Sequence, residues 1–129
     1  MKPELKDYIN GWISKAENDL ATAQRCIEIE PMILDNACFN CQQAIEKYLK
    51  AYLAYNHRAI EKTHNVNFLL DECIKLDKDF NTIDVKDINA YAVQIRYPDD
   101  AIIPSADEAR DYFKIALEVK QLVLKKIKL

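Results

Sequence analysis

Cys38 and Cys41 stand in Cys-x-x-Cys spacing within the stretch ACFNCQQAIEK, residues 37–47. That spacing serves zinc knuckles and dithiol redox centres. A structural zinc site takes four ligands, usually with a second paired motif, whereas Cys26, Cys73, His57 and His64 are singletons. A thioredoxin-type pair follows a strand and opens a helix; here helical periodicity runs through the pair and beyond it. Cysteine packs as a small hydrophobe. The two thiols therefore read as core residues one helical turn apart, and neither a metal nor a cofactor is expected.

The other candidates are sparser. Ser14 and Ser105 are the two serines, and Ser105 begins an S-x-x-E capping box with Glu108. His57 and His64 belong to no HExxH pair, and Asp99-Asp100 reads as a solvated loop pair. With one glycine, Gly11, neither a P-loop nor a dinucleotide-binding turn can be written. The tyrosines fall mostly at helical core spacing, not on a base-stacking platform. Arg96-Tyr97-Pro98 places a guanidinium at a rigid helix exit. Arginine forks suit phosphate, but an intramolecular ion pair explains the residue as well, and its chemistry alone favours that plainer use.

These residues need elements to hold them. The 129 residues suffice for one domain, with half of them hydrophobic and 30% charged. No apolar run approaches the ~20 residues of a membrane span, and the charged N-terminus has no signal-peptide core. The expected location is the cytoplasm, with reduced cysteines. A net charge of −3 assigns any RNA or nucleotide contact to a local site, not to a basic surface.

Leu5, Ile9, Trp12, Ile13, Ala16, Leu20, Ala23 and Ile27 make one helical stripe, regular from about Asn10 because Gly11 weakens its middle, and ended by Glu30-Pro31. Asp35 is the expected cap of a central helix whose wide apolar face runs from Ala37 to Leu53, with Gln43, Glu46, Lys47 and Lys50 on another side. Thr63 is the expected cap of a short helix through Leu76, after a loop over 56–62. Asp84 is the expected cap of another, carrying Val85, Ile88, Tyr91, Ala92 and Ile95 and stopped by Pro98. Residues 98–104 form a loop, and a lysine-ended helix follows Ser105. The fold class is all-α: an up-and-down bundle of four main helices plus one short helix, with residues 1–129 as a single domain.

The order of WISKAENDL (12–20), CFNCQQAIEKYLKAYL (38–53), Thr63-His64 and Arg96-Tyr97-Pro98 resembles the HEPN domain (higher eukaryotes and prokaryotes nucleotide-binding). The resemblance implies a helical homodimer that binds a nucleotide or RNA phosphate. Its partner would be a small nucleotidyltransferase, in a toxin–antitoxin-like or defence system. Some members of that family are metal-independent ribonucleases with an arginine, a polar residue and a histidine four to six residues beyond the arginine. Arg96 holds the arginine position, but 97–103 contains no histidine. Arg58 and His64 fit the written spacing in a different place, the loop after the central helix, and that match reads as coincidence. The resemblance thus points to Arg96, Tyr97, His64 and Lys47 as phosphate contacts, and to binding without catalysis. The alternatives are an RNA-cleaving toxin using Arg96 with His64, and a non-catalytic protein–protein module.

Overall fold

The computed structural model describes residues 1–93, 98–100 and 103–129. Four α-helices carry the fold: α1 (Pro3–Glu28), α2 (Leu34–Tyr55), α3 (Val66–Leu76) and α4 (Ala106–Lys126). Three short 3-10 segments, Lys78–Thr82, Ile88–Tyr91 and Pro98–Asp100, lie between α3 and α4. No strand occurs among the described residues. The all-α bundle expected from the periodicity is the fold that forms.

Proline at the first turn of α1 is harmless, because the amide it lacks would have no helical partner there. The helix then runs straight through Gly11, so the later start near Asn10 is corrected. The apolar stripe on both sides outweighs the roughly 1 kcal/mol that a mid-helix glycine costs. α1 and α2 are antiparallel neighbours: Ile9 packs with Ala51 and Ala54 at one end, and the Ile33 amide donates to the Cys26 carbonyl at the other, at 3.0 Å. α2 is the central helix. Ala37, Cys38, Cys41, Ala44, Ile45, Tyr48 and Leu49 are all fully buried, as its wide apolar face requires.

Residues 56–65 return the chain along α2 from Tyr55 to the level of Gln42 and Glu46, where His64 is held. α3 then descends beside α2, with Cys73 Sγ reaching the Leu49 carbonyl at 3.8 Å. The α3 cap is Asn65, whose side chain accepts from Phe68 N at 3.2 Å, and not Thr63. Thr63 Oγ1 instead accepts from Asn65 N at 3.1 Å. Both residue types compete for such bonds, and Asn65 is the one in register. Asp35 is likewise not a cap; Ile33 occupies that place without a side-chain bond, and Asp35 lies in the first turn.

The helix expected from Asp84 is replaced, within the described residues, by a turn and a 3-10 segment. Asp84 Oδ1 accepts from Lys86 N at 2.9 Å, and Lys86 takes a φ of 52°, which leaves the α region. Ile88–Tyr91 follows as 3-10 helix; Ile95, at the end of the expected helix, lies outside the described residues. Before α4, Ser105 and Glu108 form both bonds of the capping box, at 3.1 and 3.2 Å. Lys125 and Lys126 end the helix as expected.

Candidate functional site

Three polar residues of α2 do not face water. Gln42 is fully buried, and Glu46 and Lys50 are 3% and 5% exposed. Their positions, one turn apart, point into the seam formed with α1 and the returning 56–65 segment. Burying such groups without partners would cost several kcal/mol, and each has one. Gln42 Nε2 donates to the His64 carbonyl at 2.8 Å, and Gln42 Oε1 accepts from Gln43 Nε2 at 2.7 Å. Lys50 Nζ donates to Glu46 Oε2 at 3.0 Å and lies 5.3 Å from the centre of the Trp12 ring, a cation–π contact.

The other oxygen of Glu46 holds His64: Oε1 and Nδ1 are 2.9 Å apart, with the carboxylate side chain 4% exposed and the imidazole 70% exposed. A carboxylate accepts only, so Nδ1 carries the proton and donates. Among the described residues Nε2 then has no hydrogen-bond partner, and the ring is open to solvent. A neutral ring offers Nε2 as an acceptor or base; a protonated ring offers N–H to an anion. Gln42 fixes the backbone of the same residue, so α2 grips His64 at both its carbonyl and its ring.

The segment that leads towards Arg96 is tied to this end. Asn89 Oδ1 accepts from Val66 N at 2.9 Å, and Asn89 Nδ2 donates to Asn65 Oδ1 at 3.1 Å. The Tyr91 and Tyr112 rings meet edge-on at 5.6 Å, and Tyr112 hydroxyl donates to Asp87. Burial, reinforced by the Asp87 carboxylate, raises the Tyr112 phenol above its ordinary value. Arg96 and Tyr97 themselves lie outside the described residues.

Lys47 is a different case. Its ammonium pairs with Asp19 of α1, and among the described residues no hydrogen bond or ion pair joins it to His64. Sequence reasoning placed Lys47 and His64 in one phosphate site; the structure gives each its own carboxylate. It also adds Glu46 and Gln42, whose one-turn spacing on the most family-like stretch was the available signal.

Cys38 and Cys41 are buried to 0% exposure. Burial pushes the Cys38 thiol up to about 12 and raises Cys41 further, with the neighbouring Cys38 and Cys26 adding to the latter shift. Burial also pushes Cys73 up to about 12. Among the described residues, no three His, Cys, Asp or Glu side chains are placed to hold a metal ion. Thiolate is the reactive form. At pH 8, iodoacetamide should therefore modify Cys38, Cys41 and Cys73 of the native protein at least about a hundredfold more slowly than those of the urea-unfolded chain. Peptide mass mapping over time checks this; equal rates would mean that the thiols are not core residues.

Residues 9–127 match the family model described as HEPN domain. The match spans nearly the whole chain, and this protein belongs to the HEPN domain family. No curated protein and no solved structure matches the chain. No helix among the described residues is long and apolar enough to cross a membrane.

Proposed function

We propose that this HEPN domain binds a nucleotide or an RNA phosphate at the His64 end of the bundle. In this reading Arg96 supplies the guanidinium fork, Tyr97 stands beside it in sequence, and His64 supplies a second donor. Lys47, already paired with Asp19 of α1, would contribute only by exchanging that carboxylate for the phosphate. The observation that carries the reading is the Glu46–His64 pair, a carboxylate 4% exposed fixing an imidazole that stays 70% exposed. The net charge of −3 makes such a local site necessary for an anionic ligand. The family context supports a homodimer working with a small nucleotidyltransferase in a toxin–antitoxin-like or defence system.

Arg96→Ala should weaken binding of ATP or a short RNA at least about tenfold, the worth of a charge-assisted fork, without changing the melting temperature of the free protein. Calorimetric titration of the folded variant checks it; unchanged affinity sinks the reading.

The second reading is metal-independent RNA cleavage by Arg96 with His64. The same Glu46–His64 pair favours it, because the carboxylate-held tautomer leaves Nε2 able to take a proton from a 2′-hydroxyl. RNA cleavage at neutral pH with a chelator present, lost in His64→Ala, would establish this second reading in place of binding alone. A purely structural module predicts no ligand-dependent rise in melting temperature.

A further inference from the structure

The first half of α1 holds two aromatic rings set as adjoining walls. Tyr8 and Trp12, one turn apart, meet edge-on at 77° with ring centres 6.0 Å apart. They border a shallow depression of about 330 Å³, lined by Asp7, Tyr8, Gly11, Trp12 and Lys15. Gly11 keeps it open: a methyl group added at its Cα would meet nothing within 4 Å, so no other group fills that space. The size is at the lower end of the range for small-molecule sites, about 300–1,000 Å³.

The chemistry of the walls selects the ligand. Aromatic faces attract cations, and one of these rings already holds one: Lys50 Nζ lies 5.3 Å from the Trp12 ring centre, with its charge balanced by Glu46. Asp7 makes no hydrogen bond or ion pair among the described residues, so its carboxylate is available to a further cation. A primary ammonium carries three N–H donors, and the depression offers one carboxylate to accept them. A trimethylammonium has no donor to satisfy and takes its stabilisation from ring faces and a nearby negative charge. Lys15, also unpaired among the described residues, lies about two turns along α1 from Asp7 and answers an anionic group at the other end of the ligand. The geometry points to a binding site for a small zwitterion carrying a trimethylammonium and a carboxylate. Its methylated head sits among Tyr8, Trp12 and Asp7, and its carboxylate sits at Lys15. This goes beyond the nucleotide reading: it uses neither His64 nor Arg96, and its tests do not depend on them.

Trp12 is the one tryptophan of the chain, so its fluorescence reports on the site directly. Glycine betaine added to the full chain should change that emission saturably, with a Kd on the order of 1 mM, the strength of a partly exposed cation–π site. Glycine has a primary ammonium, and tert-butylacetate has the betaine shape without the positive charge. Each should bind at least about tenfold more weakly. Tyr8→Ala should weaken betaine binding about two- to thirtyfold, and Asp7→Asn about two- to fivefold.

Gly11→Leu tests the depression without removing its walls. Leucine suits a helix interior better than glycine, so circular dichroism should be unchanged while the side chain fills the space and binding falls at least about tenfold. Saturation-transfer NMR on the betaine methyl signal measures binding independently of the emission. No saturable binding up to about 50 mM by either measurement overturns the inference. So does tert-butylacetate binding as tightly as betaine, or a folded Gly11→Leu that binds like wild type.

Discussion

Replacing Glu46 with alanine should cost about 3–5 kcal/mol, a large part of a typical domain's stability, because it removes one partner of a buried charge pair. Lys50, 6% exposed at its side chain, would be left buried with, among the described residues, only the Trp12 ring beneath it. A ring face contributes about 0.5–2 kcal/mol to such a cation, less than the desolvation of an unpaired ammonium. Lys50→Met should cost less, because Glu46 would still have His64 at 2.9 Å. The double replacement Glu46→Leu with Lys50→Met removes both charges and should recover most of the loss, since apolar substitutes for buried pairs are often neutral or better. Urea unfolding of the four proteins at pH 7 measures the cycle. A loss below about 1 kcal/mol for Glu46→Ala would mean that the pair is effectively solvated.

Glu46 also links stability to function. Glu46→Gln keeps the side-chain shape and a carbonyl acceptor for His64 Nδ1, but removes the charge that Lys50 needs. If the imidazole is held for ligand binding, a folded Glu46→Gln should bind more weakly than wild type, with Arg96 untouched. This buried grip was hidden in the sequence for a physical reason. A Glu–Lys pair at i,i+4 reads as a solvated helix face, and only the returning 56–65 segment and Trp12 turn that face inward. By contrast, the buried Cys38–Cys41 pair, the α1 stripe and the Ser105–Glu108 box were legible, because helical period and capping chemistry are local.

The segment between α3 and α4 was the least legible. Val85, Ile88 and Tyr91 recur every three residues, a spacing that a 3-10 helix satisfies as well as an α-helix does. Topology separates the two. α4 begins near Cys38, where Glu108 perturbs that thiol, and ends with Ile127 against Ile9, Ala51 and Ala54. It therefore runs in the same sense as α2, and the chain must cross back before α4 can start. Tight turns around Asp77 and Asp84, stabilised by their own carboxylates, begin that return. Such turns are set by side-chain bonds to nearby amides, which leave only a faint periodic trace.

Phe80 lies in that return and should be the most sensitive apolar position outside the long helices. It is fully buried, and its ring lies 4.6 Å from that of Tyr52, tilted by 43°. The short 3-10 segment that presents it is pinned on both sides: Asp79 N donates to Asp77 Oδ1 at 2.9 Å, Thr82 Oγ1 donates to the Asp79 carbonyl at 3.0 Å, and Lys126 bridges to Asp77 at 2.9 Å. Such a segment cannot collapse freely into a void. Phe80→Ala should therefore cost about 3–5 kcal/mol, the full range for a buried aromatic. Phe80→Leu, which keeps more of the volume, should cost clearly less. Thr82→Ala, on the exposed side, should fall within about 0.5 kcal/mol of wild type. Urea midpoints at constant slope measure all three. If Phe80→Ala fell with Thr82→Ala, the 78–82 segment would be a surface loop, and the core would end at α3.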